Sequence, residues 1–169
     1  MVKCVRLVNS STLTMKLSLN ETHLMNCIDG MQLMDEESVD LVVTSPPYDD
    51  LRTYNDSSKW DHEVFKSVAD NLTRVLKTGG VIMWNVNDAT VKGSETGSSF
   101  RQCLYFMDQC GLRLHDTMIY EKTGTAFASG PKSVRYTQIF EYCFILSKGK
   151  PKTINLIQDK KNAWAGYTS

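Results

Sequence analysis

The sequence predicts an α/β fold with a largely parallel sheet, on three observations. A β-branched run, Val39–Thr44, is stopped by two prolines; two amphipathic helical stripes follow it; and apolar segments at residues 81–86, 112–120 and 139–146 alternate with those stripes. The chain has 169 residues, 41% of them hydrophobic, and only four prolines, which suits one packed unit and argues against disorder.

The elements are justified in chain order. After a weakly patterned polar lead, residues 21–27 read as a short strand and residues 28–34 as a helical turn. Val39–Thr44 reads as a buried strand, and Ser45-Pro46-Pro47 as a rigid loop, because each proline fixes its own φ and holds the preceding residue extended. From Trp60 to Leu76 the apolar residues Trp60, Val64, Phe65, Val68, Leu72, Val75 and Leu76 form one helical stripe, which Gly79-Gly80 is expected to end ahead of a strand at 81–86. Ser98 or Ser99 is placed to cap a second helix, whose core face is read as Phe100, Cys103, Leu104 and Met107 and which Gly111 closes. A strand at 112–120, an aperiodic stretch at 122–137 rich in Gly, Ser, Thr and Lys, a strand at 139–146 and a polar tail complete the chain, without internal repeats.

Composition narrows the function classes. Lys plus Arg and Asp plus Glu number 19 each, so attraction to nucleic acid has to come from local clustering and not from an overall field. The five cysteines include no Cys-x-x-Cys pair and no histidine at ligand spacing, so no metal site is predicted and reduced thiols are expected. No apolar run is long enough to span a membrane and the amino terminus lacks a signal-like core, so a cytoplasmic protein is expected. His23, His62 and His115 are isolated and read as structural or exposed.

Thr44-Ser45-Pro46-Pro47-Tyr48 is the signal on which function turns, because ligand sites in open α/β sheets gather at the carboxyl ends of strands. The exocyclic amino group of adenine or cytosine is a poor nucleophile, since its lone pair is delocalised into the ring. Ser45 Oγ and the carbonyl of Pro46 are suited to accept its two hydrogens, turning the nitrogen towards tetrahedral, and Tyr48 offers a ring for an extruded base. The bland alternative is a turn after a strand, for which Ser and Pro are common residues.

The motif does not stand alone. With Cys27-Ile28-Asp29-Gly30-Met31, Ser38-Val39-Asp40-Leu41-Val42-Val43, Leu51-Arg52-Thr53-Tyr54-Asn55, Arg74-Val75-Leu76-Lys77, Asp88-Ala89-Thr90, the run from Gly93 to Gln102, the run from His115 to Tyr120, Phe140-Glu141-Tyr142 and the run from Ser147 to Thr153, it resembles the β-arranged DNA N6-adenine/N4-cytosine methyltransferases over residues 22–157. The resemblance implies a Rossmann-like fold in circularly permuted order, partial here. It implies S-adenosyl-L-methionine as cofactor, and DNA as partner, with Ser45, Pro46, Pro47 and Tyr48 at the reacting base and cofactor contacts at Asn26, Cys27, Thr44 and Ser45. The family usually has Gly-Asp-Cys where this chain has Met25-Asn26-Cys27, so the usual acid is replaced by an uncharged side chain. Ser in the first motif position is commoner in cytosine-N4 enzymes and Asp in adenine-N6 enzymes.

Further expectations rest on the same resemblance. Residues 1–21 read as an extension, 22–147 as the catalytic region and 148–169 as the start of a target-recognition region. Arg52, Tyr54 and Asn55 lie close enough to the loop to meet a flipped base or the DNA backbone, with a solvated loop as the alternative. Lys148, Lys150 and Lys152, with Lys132 and Arg135, form the basic clustering and read as phosphate contacts or as a soluble edge. Asp88 reads either as a residue ordering substrate or loop, or as a cap. The family's glycine-rich cofactor segment is not found in the sequence. Val39–Thr44 is therefore expected to lie at a sheet edge and to require a complementing polypeptide or self-association. The alternative function is a non-catalytic DNA-binding remnant.

Overall fold

In a computed structural model, residues 17–48, 60–123 and 138–153 are described. Two helices pack on one face of a four-stranded sheet. The order is α1 (Cys27–Gln32), β1 (Val39–Thr44), α2 (His62–Val75), β2 (Leu76–Val86), a small hairpin of β3 (Thr90–Val91) and β4 (Ser94–Glu95), α3 (Ser98–Asp108), β5 (Arg113–Glu121) and β6 (Phe140–Ser147).

The sheet runs β1-β2-β6-β5. Only β1 and β2 are parallel; β6 is antiparallel to both β2 and β5, so the expectation of a largely parallel sheet is corrected. Among the described residues β1 lies at an edge, as expected, and it is not fully buried: Leu41 and Val43 are 42% and 39% exposed.

Alternation sorts the sheet into two unlike faces. Val42, Ile82, Trp84, Val86, Phe144 and Leu146 are buried beside Phe65, Val68 and Leu72 of α2 and Phe106 of α3. Rings fix the register of this layer, with Phe65 edge-on to both Trp84 and Phe106 at 5.9 and 5.5 Å. The opposite face carries Leu41, Val43, Val81, Met83 and Ile145, paired side by side across β1, β2 and β6 and all partly or well exposed.

Local chemistry sets the element ends, and it moves four of them from where the sequence suggested. Residues 21–26 form no strand; Asn26 accepts from Ile28 N at 2.8 Å and starts α1 one residue earlier than expected. Asp61 caps α2 by accepting from Glu63 N and Val64 N. That helix stops at Val75 because Leu76 is extended, not because of Gly79-Gly80. The glycines instead lie inside β2, where the pairing slips between Val39 and Leu41 and Gly79 takes φ +84°; a Cβ at Gly80 would come within 3.0 Å of Asp40 O.

α3 begins after Gly97, and neither Ser98 nor Ser99 is its N-cap. Its buried face is Ser99, Gln102, Cys103 and Phe106, while Phe100, Leu104 and Met107, expected in the core, are 49%, 52% and 36% exposed. The rotation has a polar cause: Gln102 Oε1 accepts the buried Trp84 indole N–H at 2.9 Å, and Ser99 is drawn onto Asp88.

Candidate active site

Strand β1 delivers Thr44 and then the loop Ser45-Pro46-Pro47-Tyr48 at the carboxyl end of the sheet. Ser45 is exposed, Pro46 is buried, and Pro47 and Tyr48 are half-buried, so a buried proline anchors the loop directly behind its exposed hydroxyl. Thr44 Oγ1 is buried and has no hydrogen-bond partner among the described residues.

The loop is wired to the sheet through Tyr48. Its hydroxyl lies 3.0 Å from Ser45 Oγ, donates to Glu141 Oε2 at 2.7 Å and accepts from Asn85 Nδ2 at 3.0 Å. Asn85 also donates to Glu141 Oε2 at 2.7 Å, its Oδ1 accepts from Cys143 Sγ at 2.9 Å, and Lys122 Nζ reaches Glu141 Oε1 at 2.6 Å. Asn85 pairs with Cys143 in the sheet, so this cluster occupies the face that α2 and α3 leave open.

Electrostatics fix the charge states. Burial by itself would raise the Glu141 carboxyl, but the hydrogen bonds from Lys122, Tyr48 and Asn85 outweigh it and hold the group below the usual range, as a carboxylate. Burial pushes the Tyr48 phenol up; the hydrogen bond with Ser45 opposes this and Glu141 adds to it, so the net shift is upward and Tyr48 stays protonated. Burial also raises the Cys27 and Cys143 thiols, so both stay protonated.

The remaining sequence-derived residues divide three ways. Arg52, Tyr54, Asn55, Lys132 and Arg135 lie outside the described residues. Asn26 and Cys27 stand at the start of α1, with no hydrogen bond to the loop among the described residues. Lys148, Lys150 and Lys152 are not brought to the loop: Gly79 N donates to Lys148 O and Lys152 N to Gly79 O, which places the segment at the amino end of β1, across the sheet from Ser45. Lys148 is moreover committed, donating to Thr73 O and Leu76 O where α2 ends and pairing with Glu37 at 3.2 Å.

Asp88 resolves towards the cap. Its Oδ1 accepts from Thr96 Oγ1, Ser98 Oγ and Ser99 N, and its Oδ2 from Ser99 Oγ. Sequence reasoning missed Glu141, Asn85, Cys143 and Lys122. The available signal was a charged residue at 141 inside an otherwise apolar strand.

The fold is a partial Rossmann-like methyltransferase fold. It superposes on the PvuII DNA methyltransferase (cytosine-N4-specific) with a TM-score of 0.65 at 20% identity, covering 77% of this chain and 50% of that one. It also superposes on a DNA modification methylase of Thermus thermophilus complexed with S-adenosyl-L-methionine, with a TM-score of 0.52 at 23% identity, covering 78% and 56%. Residues 39–167 match the profile of the DNA methylase family, and the chain belongs to that family. It is 61% identical over 127 residues to the orphan methyltransferase M.BamHII of Bacillus amyloliquefaciens, covering 75% of this chain and 45% of that protein. To the type II methyltransferase M.SmaI of Serratia marcescens it is 28% identical over 160 residues, covering 72% and 53%. The chain thus spans about half the length of the curated relatives it matches.

Proposed function

We propose that this chain supplies the base-binding half of a DNA methyltransferase acting on an exocyclic amino nitrogen, cytosine N4 or adenine N6. The observation that carries this reading is Ser45: an exposed hydroxyl at the carboxyl end of β1, backed by a buried proline and tied to Tyr48. Ser45 Oγ and the Pro46 carbonyl accept the two amino hydrogens, so the nitrogen lone pair leaves conjugation with the ring, while the Tyr48 ring supports the base. Prolines on both sides of that carbonyl aim it before substrate arrives. Arg52, Tyr54 and Asn55, which follow this loop in the sequence, are assigned to DNA contact on the family resemblance alone.

S-adenosyl-L-methionine, when bound, supplies an electrophilic methyl group. The residues present fit one side of it: the Thr44 hydroxyl, without a hydrogen-bond partner among the described residues, and the exposed Ser45 lie at the end of β1, and Asn26 caps α1 through its Oδ1 and so keeps its amide nitrogen as a donor. The rest of the cofactor cradle is assigned to polypeptide beyond the matched half of the family fold. The edge of β1 and the apolar face of Leu41, Val43, Met83 and Ile145, both left open by the described residues, are the surface on which such a polypeptide would pack, in the same chain or another. A non-catalytic remnant that only contacts DNA gains no support from the position of the lysines at the amino end of β1.

Isothermal titration with S-adenosyl-L-methionine, on the chain alone and mixed with the carboxyl-terminal half of a close relative, tests this reading. Binding in the mixture, with transfer of labelled methyl to DNA, is the expected result. Absence of binding and transfer in both would overturn it.

A further inference from the structure

The hydrogen-bond network around Tyr48 has only one consistent set of hydrogen positions. Glu141 is a carboxylate and can only accept. Lys122 occupies its Oε1, so Tyr48 must give its single hydrogen to Oε2. Asn85 is turned with its Nδ2 towards Tyr48 and Glu141, because its Oδ1 takes the Cys143 S–H. The Tyr48 oxygen, having spent its hydrogen, can meet Ser45 only as an acceptor. Across the 3.0 Å contact, therefore, Ser45 is the donor.

From this chain of constraints we infer that Glu141 is a positioning residue which, acting through Tyr48, sets the hydrogen-bonding polarity of Ser45. The Ser45 hydrogen points inward and both lone pairs face solvent, so the exposed hydroxyl presents itself as an acceptor before any ligand arrives. That polarity selects a donor. An amino group at the edge of a base satisfies it, whereas a carbonyl oxygen at the same position, as in uracil or hypoxanthine, meets two lone pairs with none of its own needs filled. A free serine hydroxyl would rotate to serve either. The inference rests on the proposed reading of the loop as a base site and adds to it a reason for discrimination between amino and oxo bases.

The inference can be tested on the chain alone, independently of methyl transfer. The probe is free cytidine against uridine, and adenosine against inosine, titrated into the labelled chain while the amide resonances of Thr44, Ser45 and Tyr48 are followed. The wild-type loop is expected to prefer the amino nucleoside about fivefold, the weight of one ordinary hydrogen bond made rather than lost. Glu141→Gln is expected to abolish or invert the preference: Lys122 demands the amide oxygen, which leaves the amide N–H facing Tyr48, and the Tyr48 hydrogen then turns towards Ser45. Tyr48→Phe, which frees the serine to rotate, is expected to weaken the preference without inverting it.

The outcomes separate the two ideas. A wild-type preference kept intact in Glu141→Gln or in Tyr48→Phe overturns the polarity role and leaves the base site standing. No response of the wild-type loop to any of the four nucleosides overturns the base-site reading and the polarity role with it. Amide resonances of β2 and β6 away from the loop report whether Glu141→Gln is folded, and should it unfold, Tyr48→Phe alone decides.

Discussion

Two buried carboxylates, Asp88 and Glu141, have the same exposure to within a percentage point, at 7% and 8%, and both are held below the usual range by hydrogen bonds that outweigh their burial. They nevertheless do different work. Among the described residues, the donors to the Asp88 carboxylate come from one short segment, residues 96–99, and together they finish the amino end of α3. Those to Glu141 come from the loop after β1, from β2 and from the segment after β5, and the path through Tyr48 leads out to an exposed hydroxyl. Depressed carboxyl pKa values alone therefore do not distinguish a site from a cap; the destination of the hydrogen bonds does.

The comparison can be broken most sharply at Asp88. Asp88→Ala removes the acceptor for the Ser99 backbone N–H at the start of α3 and for two buried serine hydroxyls, and should cost about 3 kcal/mol in urea unfolding. Glu141→Ala should cost less, about 2 kcal/mol, because Lys122 is 39% exposed and can turn to water. Equal losses would mean that the two carboxylates are both structural. Acid titration sharpens the point. Both groups have folded pKa values below their unfolded ones, so their stabilisation is complete above the ordinary carboxylate range and is lost as pH falls through the folded values, below about pH 4. Asp88→Asn and Glu141→Gln should each flatten the acid limb of stability against pH, followed by circular dichroism, and an unchanged limb in either would remove that group from the account. The smallest effect is expected at the far end of the sheet. Lys148→Ala should cost about 1 kcal/mol, through the lost carbonyl contacts at the end of α2, and should leave nucleoside shifts at Ser45 unchanged.

The legible parts of the sequence were those where local pattern and tertiary role agree. Val39–Thr44 followed by Pro46-Pro47 could only be a strand stopped short, and the stripe through Phe65, Val68, Leu72 and Val75 could only be one face of a helix. Gly79-Gly80 misled because a glycine pair reads as a stop, whereas here it gives a parallel strand its bulge and takes backbone bonds from residues 148–152, far along the chain. α3 misled because its inward face contains Ser99 and Gln102, whose partners Asp88 and Trp84 were invisible to apolar counting. Within the candidate site the loop itself was legible. Its supports were not, since Asn85 and Lys122 meet Glu141, and Cys143 meets Asn85, only after the antiparallel return of β6, a pairing direction the pattern did not favour.

The Tyr48–Glu141 hydrogen bond also bears on the order of folding. It spans 93 residues of sequence, against at most 11 for the described hydrogen bonds of the Asp88 carboxylate, and closing so long a loop carries an entropic cost that local contacts avoid. The α3 cap can form as soon as its own segment is available, while the polarity of Ser45 has to wait until β6 docks beside β2. The Ser45 hydroxyl is thus among the last groups to acquire its native orientation, and a nascent or partly unfolded chain would hold the loop without its hydrogen-bond direction. Competence at Ser45 is in this sense a report that the whole sheet has closed.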